Sequence, residues 1–207
     1  HFKSVPMGEG LGTSLPSVSA MIRRMTREKL VTTSSEKEIS LTKSGLTEAE
    51  SILRRHRLAE RLAVDVLKVD LKRAHEEAHR LEHAFSPYLE SRVVDILGHP
   101  TTCPFGHPIP GSNYVSNNSS VSLNKAKVGH DYLVDMLPED DMELLGYFVD
   151  NDFLPGAHIQ ITDLSNSRGV ITLKLGNKEL VFSMGISNLI RAVSYTHLRA
   201  HETREDR

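Results

Sequence analysis

Two short stretches place six potential ligands at helical spacing, and this pattern constrains the fold more than any other feature of the chain. In R-H-R-L-A-E, His56 and Glu60 stand four residues apart; in H-E-E-A-H-R-L-E-H, His75, His79, Glu82 and His83 fall at i, i+4, i+7 and i+8. On an α-helix each group shares one face within about two turns. Imidazoles and carboxylates crowded on like-facing positions need a cation to compensate them, so the pattern predicts neighbouring helices gathered around metal. Six candidates exceed one tetrahedral shell, which points to two neighbouring ions.

The chain contains one cysteine, Cys103. It forms no internal disulfide, and the expected ligands are therefore histidine nitrogen and carboxylate oxygen. That donor set suits borderline divalent ions such as Fe²⁺, Mn²⁺, Co²⁺, Ni²⁺ or Zn²⁺.

With 207 residues, 39% of them hydrophobic, the chain has enough apolar material for a sizeable core, and several small modules are the best reading. No apolar run approaches the ~18 residues of a membrane span, and no secretory leader opens the chain, so it reads as soluble and cytoplasmic with no membrane partner. The net charge of -2 is unevenly spread: residues 1–60 hold 10 Lys+Arg against 7 Asp+Glu, whereas the remainder is acidic. An anionic polymer would favour the N-terminal end.

The helical and strand signals predict an α+β chain. Pro16 and P-S-V-S-A-M-I-R-R-M-T-R-E-K-L begin a helix whose buried stripe is Val18, Ile22 and Met25, leaving Ser17, Ser19, Arg23, Arg24 and Arg27 outside it. The following L-V-T-T-S-S-E-K-E-I-S-L-T alternates about a polar turn and predicts a β-hairpin. A basic, serine-tipped helix followed by a hairpin is a winged-helix arrangement suited to the major groove of double-stranded DNA. Thr42 caps a long helix through about Leu67; further helices are expected over about 72–85 and 87–97. Their apolar surface exceeds what three helices can bury, predicting a homodimer. Four prolines and a serine/asparagine run mark 98–124 as a linker. Short alternating runs beyond it predict a small antiparallel barrel.

The expected organisation is thus residues 1–41, a truncated winged-helix domain; 42–97, a helical metal-binding and dimerisation domain; 98–124, a linker; and 125–193, a β-barrel. Residues 194–207 lose all core periodicity. They resemble translated sequencing-adapter read-through and read as a non-native tail. The start without methionine reads as the loss of an N-terminal segment.

His75-Glu76-Glu77-Ala78-His79 is also a literal H-E-x-x-H, the zinc-peptidase motif. Against that alternative, the metzincin extension would need glycine at 82 and histidine at 85, where Glu82 and Phe85 stand. Glu82 and His83 would also crowd the open coordination position that catalysis requires. A di-iron carboxylate enzyme would need a second Glu-x-x-His, which the other helical histidines lack. No enzyme is expected. A metal-binding module without DNA binding is the other alternative.

The order of parts, from serine-tipped helix and hairpin through R-H-R-L-A-E-R-L and H-E-E-A-H-R-L-E-H to P-T-T-C-P-F-G-H-P-I-P-G and a β-domain with L-P-G-A, resembles the diphtheria toxin repressor family of metal-dependent transcriptional regulators. The resemblance spans residues 11–193. It implies a winged-helix domain, a helical metal-binding and dimerisation domain, and a C-terminal barrel of the FeoA type. It implies a primary regulatory site at His79, Glu82 and His83 and an ancillary one at His56, Glu60 and His75, with Asp141 or Glu143 as an added ligand from the barrel. DNA contacts are implied for Ser14, Pro16, Ser17, Ser19, Arg23, Arg24, Arg27 and Lys37. Position 79 departs from the family: it is cysteine in iron-responsive members and glutamate in manganese-responsive ones, but histidine here. The resemblance implies Mn²⁺ or Fe²⁺ as the ion, with Zn²⁺, Co²⁺ or Ni²⁺ able to bind in vitro, and the metal would act as corepressor, with a dimer binding a palindromic operator.

Overall fold

The computed structural model describes residues 15–35 and 38–195. The chain divides into two compact units, residues 1–54 and 55–207. The division falls within one long helix.

In the first unit, helix α1 (Leu15–Arg27) buries Val18 and half-buries Ile22 and Met25, as the periodicity predicts. Strands β1 (Val31–Thr33) and β2 (Ile39–Leu41) form the antiparallel hairpin, pairing Val31 with Leu41 and Thr33 with Ile39. The Thr42 hydroxyl accepts from Gly45 N–H at 3.0 Å and donates to the Lys29 carbonyl at 2.6 Å. It thereby caps helix α2 (Lys43–Arg61) and ties it to the end of α1. Gly45 has to be glycine, because a Cβ there would lie 1.9 Å from the Leu30 carbonyl oxygen.

In the second unit, the last residues of α2 continue into a π-helical turn, Leu62–Val66, whose wider winding closes with Leu67 N–H on the Leu62 carbonyl at 3.0 Å. Helix α3 (Leu71–Leu81) starts at Asp70, whose carboxylate accepts from Lys72 N–H, and ends in a 3₁₀ turn, Glu82–Ala84. Helix α4 (Pro87–Ile96) is capped by Ser86 with proline in its first turn. Leu58, Ala59, Ala78, Phe85, Val93 and Ile109 make the helical core. The small alanines let α2 and α3 approach closely enough for their ligand faces to meet. Leu46, Ile52, Leu53 and Val66, which the periodicity assigned to an apolar face, are exposed in the single chain.

The stretch expected as a linker is structured over 101–111. Thr102 bridges to Pro108, Cys103 N–H bonds to the His107 carbonyl, and Phe105 and Ile109 are buried. Gly106, at φ +91°, turns with its Cα against the Asp135 carbonyl, where a Cβ would lie 1.9 Å from oxygen. The chain then enters a six-stranded antiparallel sheet in the order β3 (Ser120–Ser122), β8 (Arg191–Ser194), β4 (Asp131–Met136), β5 (His158–Ser165), β6 (Val170–Leu175), β7 (Lys178–Ser183). Helices α5 (Met142–Asp150) and α6 (Met184–Leu189) lie between strands in sequence. Alternation buries Ile159 and Ile161, Ile171 and Leu173, Leu180 and Phe182 on one face, around Phe148 and Phe153. Among the described residues no ladder joins β3 to β7, so the sheet of the expected small barrel is open between these two strands. Ser194 completes β8, one residue into the segment expected to be a tail.

Candidate metal centre

The last turn and a half of α2, the whole of α3 and the 3₁₀ turn after it bring five of the six helical candidates into direct contact, and the sixth, His83, against Glu82. His56 presents Nδ1 to Glu82 Oε2 at 2.7 Å and Nε2 to Glu60 Oε1 at 3.2 Å. His75 Nδ1 lies 3.0 Å from that same Glu60 oxygen and 3.1 Å from His56 Nε2. The other Glu82 oxygen faces His79 Nδ1 at 3.7 Å and His83 Nε2 at 3.5 Å. The rings of His56, His75 and His79 stand 4.5–4.8 Å apart, centre to centre. Their nitrogens form one mutual group within 4.8 Å, bridging the division into two sites that the resemblance implies.

Burial divides the cluster. Glu60 is 0% exposed, and His56 and Glu82 are also buried, whereas the side chains of His79 and His83 are 60% and 80% exposed. Burial opposes ionisation of Glu60, but hydrogen bonds from His56 and His75 outweigh it and lower its pKa to about 2. Burial likewise opposes charge on His56, and the adjoining carboxylates of Glu60 and Glu82 reverse that, raising its pKa above the usual value. The cluster thus favours the protonated imidazole of His56 more than water does.

Asp141, the expected ligand from the β-domain, does not reach this cluster. Its carboxylate accepts from Leu144 N–H at 3.0 Å and caps α5. Glu139, two residues earlier, reaches it instead: a carboxylate oxygen of Glu60, one of Glu139 and a ring nitrogen of His75 all lie within 4.8 Å of one another. Arg57 holds Glu139 at 3.6 Å, and the Cys103 thiol donates to Glu139 Oε2 at 3.7 Å. The sequence offered no periodic signal for Glu139, because it sits in a loop and is brought in only by tertiary contact.

Arg57 and Arg61 were also missed. Arg57 donates to the Pro108 carbonyl, and Arg61 donates to the carbonyls of Thr102 at 2.7 Å and Cys103 at 3.3 Å. Together they pin the 101–111 turn to α2. The phenylalanine-glycine corner is bonded in turn to the sheet, through Leu137 N–H on the Phe105 carbonyl at 3.0 Å and His107 Nε2 on the Leu137 carbonyl at 2.6 Å. The spacing of Arg57 and Arg61 at i, i+4 on the ligand helix was the available signal.

The donors fit a divalent ion. Glu60 Oε2 is buried without a hydrogen-bond partner, a costly arrangement for a carboxylate that a bound cation would relieve. The peptidase geometry is lacking: Glu76, the base that reading requires, is exposed and ion-paired with Arg80.

In α1, Pro16, Ser17, Ser19, Arg23, Arg24 and Arg27 are all exposed, with Arg24 ion-paired to Glu28 at 3.5 Å. Ser14 and Lys37 lie outside the described residues. No described helix is long and apolar enough to cross a membrane.

Residues 42–111 match the family described as iron dependent repressor, metal binding and dimerisation domain, and residues 121–193 match the FeoA domain. The chain is 31% identical over 198 residues to the iron-dependent repressor IdeR of Mycobacterium leprae, covering 89% of this chain and 86% of that protein. It is 30% identical over 196 residues to the diphtheria toxin repressor of Corynebacterium diphtheriae, covering 89% and 85%. Among solved structures it is similar to a manganese-dependent transcriptional repressor in complex with manganese, with TM-score 0.79 and 28% identity over 91% of this chain and 88% of that one. Cadmium-bound ScaR superposes with TM-score 0.81 at 26% identity, over 94% and 92%.

Proposed function

The chain belongs to the iron-dependent, or diphtheria toxin, repressor family, and on that premise we propose that its histidine and carboxylate cluster is the sensor of a divalent-metal-dependent, DNA-binding transcriptional regulator. The observation that carries the metal reading is the orphaned, fully buried Oε2 of Glu60, on a carboxylate that groups with His75 and Glu139. One ion is held by His56, Glu60 and His75 with Glu139 in the role expected of Asp141, and a second by His79, Glu82 and His83. Bound there, the ion would supply positive charge among the buried carboxylates of Glu60 and Glu82. Glu82 couples the two sets, since one oxygen engages His56 and the other faces His79 and His83.

Iron or manganese is the ion expected in the cell, as in the names of the similar proteins. The exposed Tyr88, Leu89 and Ile96 of α4 suit burial against a second copy, in line with the dimerisation domain matched over 42–111. The serines and arginines of α1 meet DNA, with the arginines on phosphates. Metal and operator are then linked ligands, each tightening the other by the same factor. The protein acts as a regulator and not as an enzyme, in the cytoplasm where its DNA lies.

The test is selection from a random-sequence duplex pool by the wild-type chain, with Mn²⁺ or with EDTA. Metal-dependent enrichment of a palindromic sequence, lost in Glu82→Gln, is the expected result. Enrichment that is equal with EDTA, or retained in Glu82→Gln, refutes the proposed sensor. No enrichment under any condition favours a metal-binding module without DNA binding.

A further inference from the structure

Cys103 stands apart from the histidine and carboxylate donors in sequence, and a lone cysteine was expected to leave a nitrogen and oxygen site. The fold places its thiol elsewhere than expected. The side chain is 1% exposed, and Sγ lies 3.7 Å from Glu139 Oε2, the carboxylate that joins Glu60 and His75. With a sulfur–metal bond of about 2.3 Å and oxygen–metal bonds of about 2.1 Å, a sulfur and an oxygen donor about 110° apart are separated by about 3.6 Å, close to this distance. The independent observation is Glu60: wholly buried, with Oε2 lacking any partner.

The backbone fixes the sulfur in place. Cys103 N–H bonds to the His107 carbonyl at 2.8 Å, its carbonyl accepts from Gly106 N–H at 3.0 Å, and Arg61 donates to the same carbonyl at 3.3 Å. The turn holding the thiol is therefore clamped to α2, the helix that carries Glu60 and His56. Such support around a donor is what metal sites require to hold ligand geometry.

We propose that Cys103 is a thiolate ligand of the ion held by His56, Glu60, His75 and Glu139, giving that site one sulfur, two nitrogen and two oxygen donors. The inference rests on the metal reading above and extends it to the class of ion. On binding, the S–H proton leaves to solvent and a sulfur–metal bond forms, with no change in oxidation state. The Arg57 guanidinium, 3.6 Å from Glu139, offsets part of the negative charge. A thiolate shifts selectivity toward Zn²⁺, Co²⁺, Fe²⁺ or Cd²⁺ and away from the harder Mn²⁺. The two sites would then differ in the metals they prefer.

Cobalt substitution of the full chain tests this, because Cys103 is the chain's only cysteine and any thiolate-to-cobalt charge-transfer band must come from it. The expected result is an intense near-ultraviolet band in the wild type, absent from Cys103→Ser, while the weaker visible cobalt bands persist. Cys103→Ser should also reduce the preference for Cd²⁺ over Mn²⁺ by at least tenfold. Wild-type protein with visible bands that depend on Glu60 but without the near-ultraviolet band overturns the thiolate ligand and leaves the metal site intact. A cobalt spectrum that Glu60→Gln leaves wholly unchanged removes the ion from this cluster, and both readings fall. The wild-type spectrum decides the matter even if Cys103→Ser does not fold.

Discussion

Replacing Glu60 by glutamine removes the charge at the centre of the cluster while nearly preserving its shape, so the loss can be worked from the structure. The depression of the Glu60 pKa from 4.5 to about 2 means that the folded, metal-free protein favours the ionised carboxylate. Converted at 1.36 kcal/mol per pH unit, this is about 3 kcal/mol. A group with a depressed folded pKa contributes stability that is present above its unfolded pKa and lost as pH falls through the folded one. Glutamine imitates the protonated form, so Glu60→Gln should cost about 3 kcal/mol at neutral pH and only about 2 kcal/mol at pH ~3.5. Urea unfolding of the second unit, followed in EDTA at both pH values, reads this directly. With a slope of about 1–3 kcal/mol per molar, the midpoint should fall by roughly 1–3 M at neutral pH. A loss that does not shrink on acidification refutes the charge argument, and so does a loss well below 1 kcal/mol. His56 sets the opposite limb. Its folded pKa is raised above 6.5, so its contribution is complete below that value and disappears as pH rises through the raised one. The metal-free protein should therefore be most stable between about pH 4.5 and 6.5, and added metal should extend that range upward.

For Arg27, taken as a phosphate contact, substitution by alanine should weaken binding to specific and random duplexes alike and flatten the salt dependence by about one unit of slope. Loss confined to one sequence would make it a base-reading residue. Gly45→Ala drives a Cβ to 1.9 Å from the Leu30 carbonyl oxygen, which outweighs the gain of about 1 kcal/mol in helix propensity. Hydrogen exchange should show reduced protection of the 31–41 hairpin, by about 1–3 kcal/mol in opening free energy. Unchanged protection would mean that α2 moves away from the hairpin at no cost.

What was legible from sequence was local. Helical spacing put His56 with Glu60 and His75 with His79, Glu82 and His83, because 3.6 residues per turn brings positions four apart onto one face. Alternation found the hairpin and the buried positions of β5, β6 and β7, and Thr42 was readable as a cap since its hydroxyl acts three residues along the chain. The H-E-x-x-H alternative was already disfavoured at that level by Glu82, His83 and Phe85, and the exposure of Glu76 and its pairing with Arg80 agree with that reading.

The remaining features depend on residues distant in sequence, which no period encodes. Asp141 was implied by the family resemblance, but a capping bond from Leu144 N–H only three residues away holds its carboxylate at the helix start. Glu139 lies in a loop and meets Glu60 and His75 only because the phenylalanine-glycine turn docks on β4 and on Arg57 and Arg61. The proline-rich stretch looked like a linker by composition, since prolines and glycines mark extended segments and tight buried turns equally. The sequence by itself determined which side chains could serve as ligands and which helices would carry them. Only the tertiary structure decided which of them meet, that one Glu60 oxygen is left without a partner, and that Cys103 stands beside Glu139. Burial and contact are set by how α2, the turn and the sheet pack together.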